Sequence, residues 1–312
     1  MKRILIIRHG ALGDIVLSFP AFAAIRAAHQ AAAISLLTTA PFADFLAAAP
    51  WFDQILIDPK PRVFDLPGLW RLRQKLIGFD FVYDLQTSQR SSRYFRLAGR
   101  PPWSGIAPGC SAPHSNPARN ALHTRERLAE QLAQAGFNRP LPTPDLTWLR
   151  AAPLPDGPDL PAHFTALIPG AAPHRPEKRW PASHFARLAL QLPGPIVILG
   201  GAAEAPLAAE IRRRAPDAID LTGRTSLLSL ARVLSRATLA IGNDTGPMHL
   251  ATALGVPSIV LFASASDPSL TAPRYPNGDW PRVLSAPDLA DLSVDRVASA
   301  LTDRHNNPTL IF

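Results

Sequence analysis

Four short polar stretches hold residue types that can do chemistry, and each falls where a strand should turn into a helix. Gly13-Asp14 follows the apolar run Ile4 to Ile7. Lys178-Arg179-Trp180-Pro181 closes a proline-rich loop. Glu204 follows Gly200-Gly201. Asp244-Thr245-Gly246, with His249 a turn later, follows the apolar run Thr238 to Ile241. Each has an ordinary reading. A carboxylate or hydroxyl at a helix start is an N-cap or a reactive group. Loop cations are solvated charge or phosphate partners. Glu204 is an exposed carboxylate or a partner for ribose hydroxyls, and a single histidine is usually structural. As a set they describe an anion site facing a carboxylate. The start of the helix after Gly246 and the Lys178 ammonium would stabilise charge on a departing diphosphate. Asp14 would take the proton of an attacking hydroxyl. That is group transfer from a nucleoside diphosphate donor. The sequence has no Asp-x-Asp pair and no Cys/His cluster, so no metal is expected.

The elements that must position these groups follow from the apolar periodicity. Thr238 to Asp267 reads as strand, polar turn, helix with Pro247 at its first position, stop at Gly255-Val256-Pro257, and buried strand from Ser258. In the first half, strands are expected at Ile4–Ile7, Ile34–Leu37, Gln54–Ile57 and Phe81–Leu85. Helices are expected from Ile15 to about His29, at Phe42–Ala48, at Leu69–Ile77 and at Arg125–Ala135. Residues 101–120, rich in proline, glycine and serine, read as a long irregular loop. Pro140 to Pro161 reads as an interdomain linker. The second half repeats the alternation: strands at Thr165–Ile168, Ile196–Leu199 and Ala218–Leu221, helices to Leu192, to Arg214 and at Leu227–Leu234, and a last helix at Val294–Leu301. Strands alternating with helices imply an α/β protein with parallel, doubly wound sheets. Two such domains are expected, residues 1–155 and 156–312, facing each other across a cleft, with the last helix able to pack back on the first domain.

The 312 residues carry a net charge of +8, 47% apolar residues and one cysteine, which suits a globular chain in a reducing compartment. The charge is uneven. Residues 1–155 hold 18 basic and 10 acidic residues, and residues 156–312 hold 14 of each. The first half should therefore meet an anionic partner. Aromatics are not interleaved with the basic residues, so nucleic acid is the least favoured anion. No apolar run reaches membrane-spanning length, and Arg8 and Asp14 interrupt the apolar start too early for a signal peptide. A cytoplasmic protein is expected.

The motifs resemble those of glycosyltransferase family 9, the ADP-heptose:lipopolysaccharide heptosyltransferases. They are ILIIRHGALGD (residues 4–14), KRWP (178–181), LGGA (199–202) and GNDTGPMHL (242–250) followed by ALGVPSIVLF, and they run in order from residue 4 to 268. The resemblance implies a GT-B fold of two Rossmann-like domains and an inverting, metal-independent transfer of heptose from ADP-heptose. It makes Asp14 the general base and Gly13, Lys178, Glu204, Thr225, Asp244, Thr245, Gly246 and His249 the donor-binding set. Where the family often has a polar pair after Pro169, this chain has Gly170-Ala171-Ala172, leaving only backbone N–H groups, and the phosphate role of Lys178 could fall on Arg179. The implied acceptor is an anionic lipopolysaccharide core precursor at the cytoplasmic face of the inner membrane. Arg62, Arg71, Arg73, Arg90 and Arg93, together with Lys75, are candidates to meet it. Two other readings stay open. Arg8-His9-Gly10 after a strand resembles the start of histidine phosphatases, with His9 as nucleophile, and a non-catalytic nucleotide-sugar binder would share the donor motifs.

Overall fold

The apolar runs read as strands fold as strands, buried in the middle of each sheet and half-exposed at the edges Gln54–Ile57 and Ile219–Asp220, and the polar turns gather at the strands' carboxyl ends. The computed structural model describes residues 1–302 apart from Val63, Arg139 and Pro173. The chain divides into two compact units, Met1–Asp145 and Leu146–Phe312.

The first unit holds strands β1 (Arg3–Ile7), β2 (Ala33–Thr38), β3 (Gln54–Ile57), β4 (Phe81–Asp84), β5 (Trp103–Gly105) and β6 (Ala112–Pro113). Its helices are α1 (Leu12–Leu17), α2 (Phe19–Ala28), α3 (Ala40–Ala47), α4 (Leu66–Leu76), α5 (Gln89–Leu97) and α6 (Thr124–Gln134). The strands form one parallel sheet in the order β3-β2-β1-β4-β5-β6. That is the Rossmann order, whose ligand crevice lies where the order reverses, between β1 and β4.

The second unit holds β7 (Thr165–Ile168), β8 (Ile196–Ile198), β9 (Ile219–Asp220), β10 (Leu239–Asn243), β11 (Ser258–Ala263) and β12 (Arg282–Ala286). Its helices are α7 (Thr147–Arg150), α8 (Ala182–Ala189), α9 (Ala205–Arg214), α10 (Leu227–Leu234), α11 (Gly246–Ala253), α12 (Pro268–Thr271) and α13 (Val294–Thr302). The sheet runs β12-β11-β10-β7-β8-β9, the same order again, with its reversal between β7 and β10. Its core packs Trp180, Phe185, Ile198, Ile241 and Leu261.

Several expectations are corrected. The single helix from Ile15 to His29 is two helices, because Pro20 cannot continue α1 and instead sits in the first turn of α2. The supposedly irregular 101–120 segment contributes β5 and β6, where Trp103 is fully buried. The boundary falls ten residues before the expected 155/156. Leu149 is buried, Arg150 donates to the Leu254 carbonyl, and Arg232 donates to the Arg150 carbonyl, so α7 belongs to the second unit. Val294 and Val297 of α13 are buried in the second unit's core.

Candidate functional site

In the second unit, the segments after β10, β7, β8 and β9 bring the predicted donor residues other than Gly13 to one edge of the sheet. Asp244 directly follows β10, and Thr245 is the N-cap of α11, whose first turn contains Gly246, Pro247 and His249. Thr245 caps without a side-chain hydrogen bond. The N–H groups at such a helix start have no intrahelical acceptor and present partial positive charge. Lys178 donates to Asp244 Oδ2 at 2.8 Å, with side chains 17% and 9% exposed. His249 Nε2 lies 3.9 Å from Asp244 Oδ1, a reach for charge attraction but too long for a hydrogen bond. Burial works to raise the pKa of Asp244, yet the His249 imidazole and the Lys178 ammonium outweigh it and hold the carboxyl at about 2. Of the two neighbouring cations, Lys178 is the one that reaches Asp244. Arg179 donates instead to the Ala171 carbonyl.

Asn243, the last residue of β10, holds this arrangement together and was not singled out from the sequence. It is fully buried. Its Oδ1 accepts from the Trp180 N–H at 3.0 Å, and its Nδ2 donates to the carbonyls of Pro169, at 2.8 Å, and Gly170, at 3.3 Å. One amide thus fixes the loop after β7 and the KRWP segment against β10. The neighbouring Gly242 admits no side chain: a Cβ there would stand 2.7 Å from both Cβ and O of Ile168.

Glu204 lies in the loop after β8 and accepts from the Gly201 N–H at 2.7 Å through Oε2. Its stem crosses Gly170, where a Cβ would stand 2.6 Å from the Glu204 Cγ. Thr225 lies half-buried in the loop after β9, just before the N-cap Ser226 of α10. The Gly223 N–H donates to the Gly200 carbonyl, so the last two loops are tied together. This edge has what a nucleoside diphosphate requires: a helix N-terminus at the order reversal, a lysine, and a carboxylate farther along.

In the first unit, Gly13 and Asp14 lie in the first turn of α1, in the loop after β1. The Asp14 carboxylate is 41% exposed. One oxygen is 3.2 Å from the Arg8 Nη2, and the other accepts from the Ala11 N–H at 3.2 Å. It therefore serves the helix start and also reaches solvent. Arg8 is buried and bridges the loops after β1 and β4, donating to the carbonyls of Leu85 and Asp14. Next to it Asp84 ends β4, fully buried, with Oδ2 lacking a partner among the described residues. Burial pushes its carboxyl up to about 6, against the N–H groups of Gln86 and Thr87 and the Ser91 hydroxyl.

Two cations near this edge were not anticipated. Arg127 of α6 is close enough for attraction to Asp14 to oppose the burial that lowers its pKa. Arg119 donates to Thr87 Oγ1 at 2.9 Å and to His114 Nδ1 at 3.3 Å. Both come from segments distant in sequence from Asp14. The anticipated cations lie elsewhere in the unit, all exposed. Arg62 precedes α4, Arg71 and Arg73 lie on it, and Arg90 and Arg93 lie on α5. Arg71 and Arg90 bond the carbonyls of Pro67 and Pro61. Among the described residues, no hydrogen bond or ion pair joins any of the five to Asp14.

His9 is not placed as a nucleophile. Its ring is buried, with Nε2 2.8 Å from Asp58 Oδ2, and Asp58 also accepts from the Tyr94 hydroxyl and the Lys60 N–H. Its backbone is clamped by Gln86 and Thr39. Among the described residues, no group of three or more His, Cys, Asp or Glu side chains is arranged to hold a metal ion, and no helix is long and apolar enough to cross a membrane.

Two Rossmann-ordered sheets, one with a cationic helix-start site at its order reversal, define an α/β protein of the GT-B class. The model of glycosyltransferase family 9 (heptosyltransferase) matches residues 69–283, and the chain belongs to that family. It is 27% identical over 284 residues to lipopolysaccharide heptosyltransferase 1 of Pseudomonas aeruginosa, an alignment covering 83% of this chain and 78% of that one. It is 34% identical over 115 residues to lipooligosaccharide heptosyltransferase 2 of Haemophilus influenzae, covering 34% of this chain but only 33% of that protein's length. Among solved structures, the Escherichia coli heptosyltransferase WaaC with ADP superimposes with a TM-score of 0.79 at 23% identity, covering 96% of this chain and 99% of that one. This likeness is one of fold.

Proposed function

We propose that the protein is an inverting, metal-independent glycosyltransferase that moves heptose from ADP-heptose to an anionic lipopolysaccharide-core acceptor. The observation that carries this reading is the Lys178–Asp244–His249 cluster at the start of α11, at the order reversal of the second sheet. On this reading the second unit is the donor domain. The diphosphate lies on the N–H groups around Thr245 and Gly246, and Lys178 leaves part of its pairing with Asp244 to neutralise it. Asp244 and His249 hold that lysine in place, Glu204 receives ribose hydroxyls, and Thr225 lies on the adenine side. The first unit is the acceptor domain. The Asp14 carboxylate takes the proton of the acceptor hydroxyl as its oxygen bonds the anomeric carbon. The bond from that carbon to the diphosphate oxygen breaks, and ADP leaves with the electron pair. Attack opposite the leaving group inverts the anomeric centre. Gly13 lets donor and acceptor approach the start of α1. Arg119 and Arg127 draw the acceptor's anionic groups toward Asp14, while Arg62, Arg71, Arg73, Arg90 and Arg93 meet the acceptor's anions or those of the leaflet around it. The protein works in the cytoplasm, at the inner face of the inner membrane, with no cofactor.

The test is a thermal-shift panel of nucleoside diphosphates with the wild type and Lys178→Met, followed by transfer from ADP-heptose to a deacylated core acceptor. ADP should stabilise the wild type more than UDP or GDP, and Lys178→Met should lose most of that shift. Transfer should persist in excess EDTA and yield the inverted anomer. A UDP preference overturns the donor assignment, and loss of transfer in EDTA overturns the metal-free mechanism.

A further inference from the structure

The first turns of α4 are at odds with the rest of the molecule. Phe64, Leu66 and Trp70 are 93%, 73% and 62% exposed, three large apolar side chains within seven residues. Apolar side chains scattered singly on a surface are ordinary, but a cluster marks an interaction site. The helix is two-sided. Leu72 and Leu76 are buried against the unit's core, whereas Leu66, Trp70 and Arg73 fall on one exposed stripe at spacings of four and three. Lys60, Arg62 and Arg71 lie in the same segment, while Lys75 is on the far side of the helix with its Nζ on the Ile57 carbonyl at 2.7 Å. The one acid between residues 60 and 79 is Asp65, whose carboxylate is occupied as the N-cap, accepting from the Gly68 N–H at 2.9 Å. Arg90 of α5 reaches the same segment through the Pro61 carbonyl.

We propose that this ridge is a membrane anchor: Phe64, Leu66 and Trp70 enter the headgroup boundary of an anionic bilayer while the flanking arginines pair with lipid phosphate. Such a helix lies in the interface plane, with binding set by buried apolar area together with basic charge. Aromatic side chains at the tip suit that depth. A second copy of this chain fits less well, since a two-fold interface sets each patch against itself. Lys60, Arg62, Arg71 and Arg73 would then face their own copies as the surface dehydrates. The anchor deepens the proposed function, because a lipid-linked acceptor is presented at such a surface, but its test does not depend on the transfer reaction.

The experiment is flotation of the full chain with vesicles of phosphatidylcholine alone and of phosphatidylcholine with phosphatidylglycerol at seven to three. The wild type should bind the anionic vesicles at least about tenfold more tightly than the neutral ones. Phe64→Ser/Leu66→Ser/Trp70→Ser should weaken that binding by about tenfold or more. Arg71→Glu/Arg73→Glu should weaken it roughly fivefold per charge removed and blunt its salt dependence. Brominated lipid should quench part of the wild-type tryptophan emission, and Trp70→Phe should remove that part. These side chains are exposed, so the variants should keep the wild-type melting profile and ADP response. Equal binding to both vesicle types, unchanged binding by the triple variant, or a wild-type dimer that the triple variant abolishes each overturns the anchor. Vesicle binding with no response to ADP would leave the anchor standing and sink the donor assignment. The reverse pattern would sink the anchor alone.

Discussion

Replacing Asn243 with alanine is the sharpest perturbation of the second unit, because one buried amide holds three backbone groups in place. Truncation leaves the Trp180 N–H without its 3.0 Å acceptor and the Pro169 carbonyl without its 2.8 Å donor, both inside protein. An orphaned buried polar group costs about 1–3 kcal/mol, so the two together cost about 4 kcal/mol, with the longer Gly170 contact adding little. That is a large share of a domain's stability of about 5–15 kcal/mol. Hydrogen exchange isolates the unit: the slowest amides of β7 and β10 should exchange close to a thousandfold faster, at about 1.4 kcal/mol per tenfold. The isosteric Asn243→Asp separates this from simple loss of volume. It keeps the acceptor for Trp180 but sets a second oxygen against two carbonyls. Its carboxyl pKa should therefore rise on folding, so the variant gains stability as pH falls below its folded pKa and loses it as pH climbs back through that value. Both variants should bind ADP weakly, because Lys178 sits two residues before the anchored Trp180. Exchange within about fivefold of wild type for Asn243→Ala, or an Asn243→Asp variant indifferent to pH, would refute the idea that this amide organises the site.

Asp244 and Asp84 predict opposite pH dependences. Asp244 is held at about 2, below an unfolded value near 3.8, so its contribution of about 2 kcal/mol is present above pH ~4 and is lost as pH falls toward 2. In urea titrations the gap between wild type and Asp244→Asn should close over that interval. Asp84 is raised to about 6, so the strain of ionising it is absent below pH ~4 and develops as pH rises through 6. Asp84→Asn keeps an acceptor for the Gln86 and Thr87 N–H groups and should gain on the wild type between pH 4 and pH 8, by up to about 3 kcal/mol. Asp14→Asn should lower kcat about 10²- to 10⁴-fold while leaving the ADP-induced thermal shift and the melting temperature nearly unchanged, since its carboxylate is 41% exposed. A large fall in ADP affinity would move Asp14 from proton transfer to donor binding.

What was legible in the sequence was whatever local pattern decides. The runs Gln54–Ile57, Thr165–Ile168 and Leu227–Leu234 fold with the bounds their periodicity suggested, and the motif residues Lys178, Glu204, Thr225, Asp244, Thr245, Gly246 and His249 follow strands of one sheet, while Gly13 lies in the other unit. Segments stabilised by distant partners were not legible. The α5 sequence QRSSRYFRL is mostly polar and buries only Ser91, Tyr94 and Phe95; its one local signal was the Ser88–Ser91 cap pair. β5 and β6 are three and two residues long, too short for any period to register. The cation near Asp14 comes from residue 127, and the partner that immobilises His9 lies 49 positions along the chain, so no spacing rule could have paired them. Asn243 was visible as part of a motif, but its role depends on two carbonyls more than 70 residues away.

The two units share a strand order, and the order alone would give each a nucleotide crevice at its reversal. Their side chains break that equivalence. At the β1/β4 reversal the Arg8 guanidinium bridges the two loops through the Leu85 and Asp14 carbonyls, with buried Asp84 beside it, so the crevice is filled by the protein's own charged groups. At the β7/β10 reversal the loop after β7 offers Gly170 and Ala171, with the Glu204 stem across Gly170, beside a lysine held by a carboxylate. The uneven charge follows the same division: the unit whose crevice is plugged holds 17 basic and 10 acidic residues, against 15 and 14 in the other, which disposes it to attract an anionic partner over its surface. On the proposed reading, the donor meets the reversal that carries Lys178 and the acceptor meets the sheet with the partly exposed Asp14 carboxylate at its rim, so the two substrates need not compete for one site.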